Sequence, residues 1–109
     1  MCKNSCSYGL LSGSECREKA LGRYAVSLRG HDRGKIYLVV GCGEDESGKP
    51  VLLLADGGKR PVDKPKAKKP KHVCVFRERD DEIASKLIGG KRVDDSEIVH
   101  SLKMSGLRP

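Results

Sequence analysis

Hydrophobic and polar residues first fall into a regular pattern between positions 22 and 40, GRYAVSLRGHDRGKIYLVV. Tyr24, Val26 and Leu28 are separated by single polar or small residues, the period-two pattern of a strand with one buried face. Residues 36–40 are an unbroken apolar run, short enough for a strand that is buried on both faces. The polar segment between the two runs has a glycine at each end, which predicts a turn whose backbone reaches positive φ.

Three more short apolar stretches follow. Pro50 opens the run 51–55, whose apolar residues indicate a buried strand, and Asp56-Gly57-Gly58 after it is a hairpin signal. Residues 59–62 are predicted to return as an edge strand, and residues 72–76 form a fifth stretch. Five short strands with tight turns predict a small barrel, because closure removes exposed edges. Strand counting leaves an SH3-like and an OB-like barrel equally open.

The last third of the chain changes to a helical pattern. Asp80 precedes an apolar pattern of helical spacing that stops at Gly89, which predicts a first short helix. Asp94 and Glu97 have the spacing of a capping box, and Gly106 lies beyond the apolar face of the second helix. The fold class is therefore mainly β, with two short C-terminal helices, and α+β overall.

The length of 109 residues allows one small domain with tails. We expect a poorly ordered, cysteine-bearing extension over residues 1–20, the barrel over 21–76, and a helical tail over 77–109. No apolar run approaches the roughly 20 residues of a membrane helix, and no hydrophobic block marks a secretory signal. These features predict a cytoplasmic protein.

The net charge of +7 is concentrated in one segment. Residues 59–72 hold seven Lys or Arg and one Asp, so this stretch carries +6 of the total. Clustered cations release counterions from a phosphate backbone, which makes this segment a candidate polyanion site rather than only a solvated loop. The alternation of Lys and Pro over 64–71 predicts an extended, polyproline-like arm.

The five cysteines do not form a recognisable framework. Cys2, Cys6 and Cys16 lack the C-x-x-C spacing of common zinc sites, and the odd total argues against a simple set of disulfides. We therefore expect free thiols in a reducing compartment, with no metal and no cofactor. A thiol or zinc sensor built on these three cysteines is a weaker alternative.

Two parts of the sequence are similar to a known family. The strand, the Gly-polar-Asp-basic-Gly-Lys loop and the second apolar strand resemble the KOW motif of ribosomal proteins and transcription elongation factors. The later stretch VLLLADGGKRPVDKPKAKKPKHV resembles small bacterial KOW-domain RNA-binding proteins related to archaeal and eukaryotic large-subunit ribosomal proteins. The resemblance covers residues 21–72 and implies an SH3-like barrel that binds structured ribosomal RNA, with ribosomal proteins as further neighbours.

The candidate RNA-binding residues lie in the loop and in the basic segment. Gly30 and Gly34 would let the loop backbone approach RNA, His31 could stack or donate a hydrogen bond, and Asp32 would orient the loop. Basic side chains at both places would contact phosphates, which fixes position without reading sequence. These are Arg29, Arg33 and Lys35 of the loop and Lys59, Arg60, Lys64, Lys66, Lys68, Lys69 and Lys71 of the basic segment.

Catalytic signatures are missing from the sequence. It has no nucleophile elbow, no Walker lysine loop, no His-Glu-x-x-His and no dinucleotide fingerprint, so we expect no enzymatic activity. The alternative to RNA binding is a protein-interaction module of a transcription or translation factor. In that case the barrel edge or the C-terminal helices would carry the contact.

Overall fold

The computed structural model describes residues 20–106, in which five strands are followed by two helices. A single 3-10 turn, Pro70–His72, connects the last two strands. The strands are β1 (Arg23–Ser27), β2 (Ile36–Glu44), β3 (Pro50–Ala55), β4 (Lys66–Lys68) and β5 (Val73–Arg79). The helices are α1 (Asp81–Ile88) and α2 (Asp95–Ser105).

All five strands belong to one antiparallel sheet, in the order β4-β3-β2-β1-β5. The mainly β fold with five strands and two C-terminal helices is therefore confirmed. Within the described residues the edge strands β4 and β5 do not pair with each other; the 3-10 turn joins them. At this end of the sheet, Leu28 N also donates to His72 O at 2.9 Å. Closure of this sheet into a barrel stays a prediction from the strand pattern, and the SH3-like type of that barrel stays a prediction from the resemblance.

Both faces of the sheet are buried, in two separate clusters. The first cluster lies on one face of the sheet and includes Tyr37, Leu52 and Val75. The second lies on the opposite face, where Leu38 packs with residues of α1 and α2 such as Ile98. Because β1 runs between the two clusters, Ala25 and Ser27 are buried as well, so the half-buried strand predicted there is wrong; Leu28, predicted on the buried face, follows β1 and is 42% exposed. Residues 36–40 begin β2, and burial on both faces is confirmed for the middle three of them.

The strand that returns along β3 is not the predicted one. Residues 59–62 contain no strand; β4 (Lys66–Lys68) pairs with β3 instead. The reason is a wider turn, since Asp56 Oδ1 accepts from the backbone N–H groups of Gly58 and Arg60, both at 2.9 Å. Val62 N then donates to Asp95 Oδ1 at 2.7 Å, which holds this segment against α2 and away from the sheet.

The helices begin and end as the sequence predicts. Asp80 caps α1 by accepting from Ile83 N at 3.1 Å. Glu97 Oε2 of the capping box accepts from Asp94 N at 2.9 Å, and α2 ends at Gly106 with φ of 67°. A buried hydrogen bond of 2.7 Å between Tyr24 Oη and Ser101 Oγ fixes α2 to β1.

The two cysteines within the described residues do not match the expectation of free thiols. Cys42 on β2 and Cys74 on β5 are both disulfide-bonded. An odd number of cysteines excludes the pairing of all of them, but it does not exclude the pairing of some, so the count alone was a poor guide. The predictions for residues 1–19, including the proposed thiol or zinc sensor, lie outside the described residues.

Gly22, just before β1, lies directly against the backbone of α1. Its φ is 80°, and a Cβ built on it would lie 2.8 Å from Ala84 Cα. We expect Gly22→Ala to lower the free energy of unfolding by about 3 kcal/mol, from the left-handed backbone and from overpacking together. Urea denaturation measures this loss.

Gly90→Ala is the matched control for Gly22→Ala. Gly90 has a similar φ of 74° but no atom within 4 Å of an added Cβ, so only the backbone cost of about 1 kcal/mol is expected. Equal losses in the two variants would contradict the close contact between Gly22 and α1.

Candidate nucleic-acid interface

The loop between β1 and β2 is a tight polar turn closed by backbone hydrogen bonds. Ser27 N donates to Lys35 O at 3.0 Å, and Gly34 N donates back to Ser27 O at 2.8 Å. Gly30 and Gly34 have φ of 91° and 89°, which confirms the positive φ predicted at both ends of the loop. The turn projects Arg29, His31 and Arg33 into solvent, where all three side chains are exposed.

Asp32 is the centre of a hydrogen-bond network at the base of this loop. Its Oδ1 accepts from Ser27 Oγ and from Lys68 Nζ, both at 2.9 Å. Its Oδ2 accepts from Tyr37 Oη at 2.7 Å and from Lys66 Nζ at 2.9 Å. Asp32 thus connects the loop to β2 and β4, and it orients the loop as its position in the sequence predicts.

The environment of Asp32 keeps it ionised. Burial alone would raise the pKa of this carboxyl group, but hydrogen bonds from Lys68, Lys66, Tyr37 and Ser27 outweigh burial and hold the pKa far below its ordinary value. Burial and the neighbouring Asp32 carboxylate raise the pKa of Tyr37 in turn. The network therefore holds an ionised Asp32 carboxylate against a Tyr37 phenol that stays protonated, and Lys66 and Lys68 donate to the same carboxylate.

The two lysines of this network come from β4, the middle of the predicted extended arm. Lys66 and Lys68 pair in register with Leu54 and Leu52 of β3, so their side chains leave the sheet on the side of the first core cluster. Their ammonium groups reach Asp32. Lys68 Nζ also donates to Ser27 Oγ and to Arg29 O, and its side chain is only 10% exposed.

The prediction of a free polyproline-like arm over residues 64–71 is consequently wrong. The prolines are compatible with the structure because they lie outside β4: Pro65 before the strand and Pro70 after it, at the start of the 3-10 turn. Lys68 is a structural residue, and Lys66 is only partly available to a ligand.

A second carboxylate, that of Asp56, forms an ion pair with another lysine that was predicted to contact RNA. Lys35 Nζ forms an ion pair with Asp56 Oδ2 and lies 5.4 Å from the centre of the Tyr37 ring. Burial would raise the pKa of Asp56, but the ion pair and the backbone N–H groups of its turn lower it overall. Lys35 thus fixes the loop to the turn after β3.

The remaining basic side chains of the predicted site are exposed and have no carboxylate within 4 Å among the described residues. These side chains and the lysines bound to Asp32 and Asp56 belong to two segments, residues 28–35 and 56–72. We call the surface of these two segments the basic surface. It contains ten Lys or Arg and three Asp, hence +7, the formal charge of the whole chain. Its exposed and unpaired cations are Arg29, Arg33, Lys59, Arg60, Lys64, Lys69 and Lys71.

Two open clefts cross the basic surface, one on each side of His31. The larger has a volume of about 410 Å³ and lies between the loop and β4, where Arg29, Lys69 and His72 line it. The smaller, of about 260 Å³, lies between the loop and the turn after β3, lined by Lys59 and Arg60 among others. His31 and Lys66 line both clefts. The exposed residues Arg33, Lys64 and Lys71 line neither of these two clefts.

His72 is a residue of this surface that the sequence did not indicate as a ligand contact. The 3-10 turn places it beside Arg29 in the larger cleft. Partial burial and the charges of Arg29, Lys71, Lys69 and Lys68 lower the pKa of His72 below its ordinary value. The cleft is therefore a place of positive potential. In the sequence, the only sign of this position of His72 was the run of basic residues beside it, KPKHV.

Within residues 20–106 no three His, Cys, Asp or Glu side chains are grouped so that they could hold a metal ion. In the same range no helix has the length and apolar character needed to cross a membrane. The chain matches no protein-family model, and no curated protein is significantly similar to it.

Proposed function

We propose that this protein binds RNA without catalysing a reaction, and that the basic surface contacts the phosphate backbone. The observation that carries the proposal is the junction of two segments that are distant in sequence, residues 28–35 and 56–72. They meet in one surface that accounts for the whole formal charge of the chain. Such a concentration favours a polyanion through the release of counterions.

The arrangement of the acidic groups supports the proposal. Asp32 and Asp56 are each about 10% exposed and accept hydrogen bonds from groups of the domain itself. They bind three lysines, and they do not face a ligand. The seven exposed cations around them are left to interact with phosphates, while the two networks fix the backbone that carries them.

The aromatic residues favour a structured RNA over a single strand. Tyr24 and Tyr37 are buried and Phe76 is half-buried, so no Tyr or Phe ring within the described residues is exposed for stacking on unpaired bases, and His31 is the exposed imidazole of the basic surface. Recognition of single-stranded RNA usually needs such rings, whereas helical RNA is recognised by its shape and its backbone. The resemblance to KOW-domain proteins adds ribosomal RNA as the target, in the cytoplasm and beside ribosomal proteins.

The salt dependence of RNA binding tests the proposal. Fluorescence anisotropy with a labelled RNA hairpin should give a slope of log K against log[salt] of about −5 to −6, if all seven cations contact phosphates. Affinity should then fall roughly a thousandfold between 50 and 200 mM salt. An oligouridine of the same length is the control and should bind more weakly. No binding of the hairpin at 50 mM salt would refute the proposal.

The alternative, a protein-interaction module, has one observation in its favour. Ile88 at the end of α1 and Met104 near the end of α2 are 51% and 73% exposed. Ile88→Ser and Met104→Ser should leave RNA binding unchanged under our proposal, because neither residue belongs to the basic surface. Loss of a protein partner in these variants, without any RNA binding by the wild type, would favour the alternative.

A further inference from the structure

Two of the three histidines of this chain lie on the basic surface. His31 is exposed at the tip of the loop, and His72 is half-buried on the 3-10 turn; both line the larger cleft. They come from segments forty residues apart and meet there because Leu28 N binds His72 O. Neither histidine has a side-chain hydrogen bond to a carboxylate within the described residues, although the nearby lysines Lys35, Lys66 and Lys68 do.

We propose that the larger cleft is a phosphate site whose charge is adjustable, in which His31 and His72 take up protons when an RNA phosphate binds between them. This inference rests on the proposed function and deepens it. Arg29 and Lys69 on the rim would supply permanent charge, and Gly30 at the edge would leave the backbone accessible. Binding would therefore be coupled to pH between about 5 and 7, where an imidazole titrates.

The charges around each histidine determine the direction of the coupling. His72 faces Arg29 from the loop, Lys68 and Lys69 from β4 and its end, and Lys71 on its own turn, all of them cations. His31 shares the smaller cleft with Lys35, Lys59, Arg60 and Lys66, and the only carboxylate lining that cleft is Asp32, which already accepts hydrogen bonds from Tyr37 and Lys66. In the free protein the cations around His72 oppose protonation of its imidazole. A bound phosphate diester, whose charge is constant over this pH range, would cancel that repulsion and favour the protonated form.

The consequence is a measurable change in salt dependence. Two added positive charges should steepen the slope of log K against log[salt] by about 1.4 to 1.8 between pH 7.5 and pH 5.5. Affinity at 100 mM salt should rise about tenfold or more over the same interval, since each coupled proton contributes up to tenfold per pH unit. A surface of lysine and arginine alone would show no such change.

The test compares the wild type with His31→Gln/His72→Gln, using the RNA hairpin at both pH values and constant ionic strength. The double variant should lose the steepening of the salt slope between pH 7.5 and pH 5.5, and this comparison between the two pH values does not depend on its affinity at pH 7.5. His100→Gln is the matched control, because His100 is exposed on α2 outside the basic surface, and it should retain the full pH effect. NMR titration of the histidine ring protons should show both pKa values raised in the complex, and it serves as a check independent of the variants.

The outcomes separate this inference from the proposed function. RNA binding that depends on salt, with the same pH profile in the double variant, would overturn the coupled cleft and leave the proposed function intact. If the hairpin does not bind at all, sulfate is the second probe, because its charge does not change between the two pH values. A rise in both histidine pKa values with sulfate would then support the cleft as an anion site without RNA. The absence of a rise would overturn the cleft as an anion site as well.

Discussion

Asp32→Asn should strongly destabilise the described domain. The change removes the charge that balances Lys66 and Lys68, and it leaves the Lys68 ammonium, 10% exposed, without its counterion. Removing one partner of such a buried pair costs about 3 kcal/mol or more. For a domain of this size the thermal midpoint should fall by about 12 °C or more, as measured by circular dichroism.

Two further variants show whether charge is the cause. Asp63→Asn removes an aspartate whose side chain is 71% exposed and should change stability by less than about 0.5 kcal/mol. Asp32→Asn/Lys68→Met removes the carboxylate and the less exposed of its two lysine partners, and should recover most of the loss, because the buried ammonium that lost its counterion is then gone as well. If the free energy of unfolding of Asp32→Asn lies within about 1 kcal/mol of the wild-type value, the hydrogen-bond network of Asp32 does not stabilise the loop.

The pH dependence of this effect has a definite sign. The pKa of Asp32 is lower in the folded state than its ordinary value of 3.8, so the stabilisation is fully present above that value. It is lost as the pH falls below 3.8 towards the lower folded-state pKa. The wild type should therefore approach the Asp32→Asn variant in stability between pH 5 and pH 2, whereas the difference should stay constant from pH 5 to pH 8.

Arg29→Gln/Arg33→Gln/Lys69→Gln should produce the largest loss of RNA binding that does not disturb the fold. All three side chains are exposed and lie around the larger cleft or beside it on the loop. Removing three phosphate contacts should lower the salt slope by about 2 to 3 and weaken binding at 100 mM salt about a hundredfold. Anisotropy titrations with the RNA hairpin measure both quantities.

Lys49→Gln/Lys91→Gln/Lys103→Gln is the charge-matched control for that triple variant. Its net charge changes by the same amount, but the three lysines are exposed outside the basic surface. We expect its affinity to remain within about threefold of the wild type, because condensed counterions are released only at the contact. Equal losses in both triple variants would mean that net charge alone, and not this surface, drives binding.

The sequence predicted those elements that depend on local signals. The positive φ of Gly30 and Gly34, the cap at Asp80 and the capping box at Asp94 follow from the preferences of single residues at fixed spacings. The position of β4 does not, because it depends on how far the turn after Asp56 extends before the chain meets β3 again. That length is set by the hydrogen bond from Val62 N to Asp95, which is distant in sequence.

The sequence predicted most of the residues of the candidate site, but it did not predict how their side chains are arranged. A list of basic residues treats every lysine as a free cation, yet Lys35, Lys66 and Lys68 are bound to Asp32 and Asp56. Only the pairing of β3 with β4 shows that Lys66 and Lys68 point towards the core edge. His72 was overlooked for the same reason, since its place beside Arg29 is a consequence of tertiary structure.

The pairing of β1 with β5 constrains the order in which this chain can fold during synthesis. Ala25 pairs with Val75, fifty residues later, whereas β1 and β2 are adjacent and can pair early. At the usual rates of translation, about 2 to 7 seconds separate the end of β2 from the end of β5. Throughout that interval one edge of an apolar strand lacks its neighbour and can pair with another nascent chain. The yield of folded protein in the cell should therefore depend on elongation speed over residues 45–79.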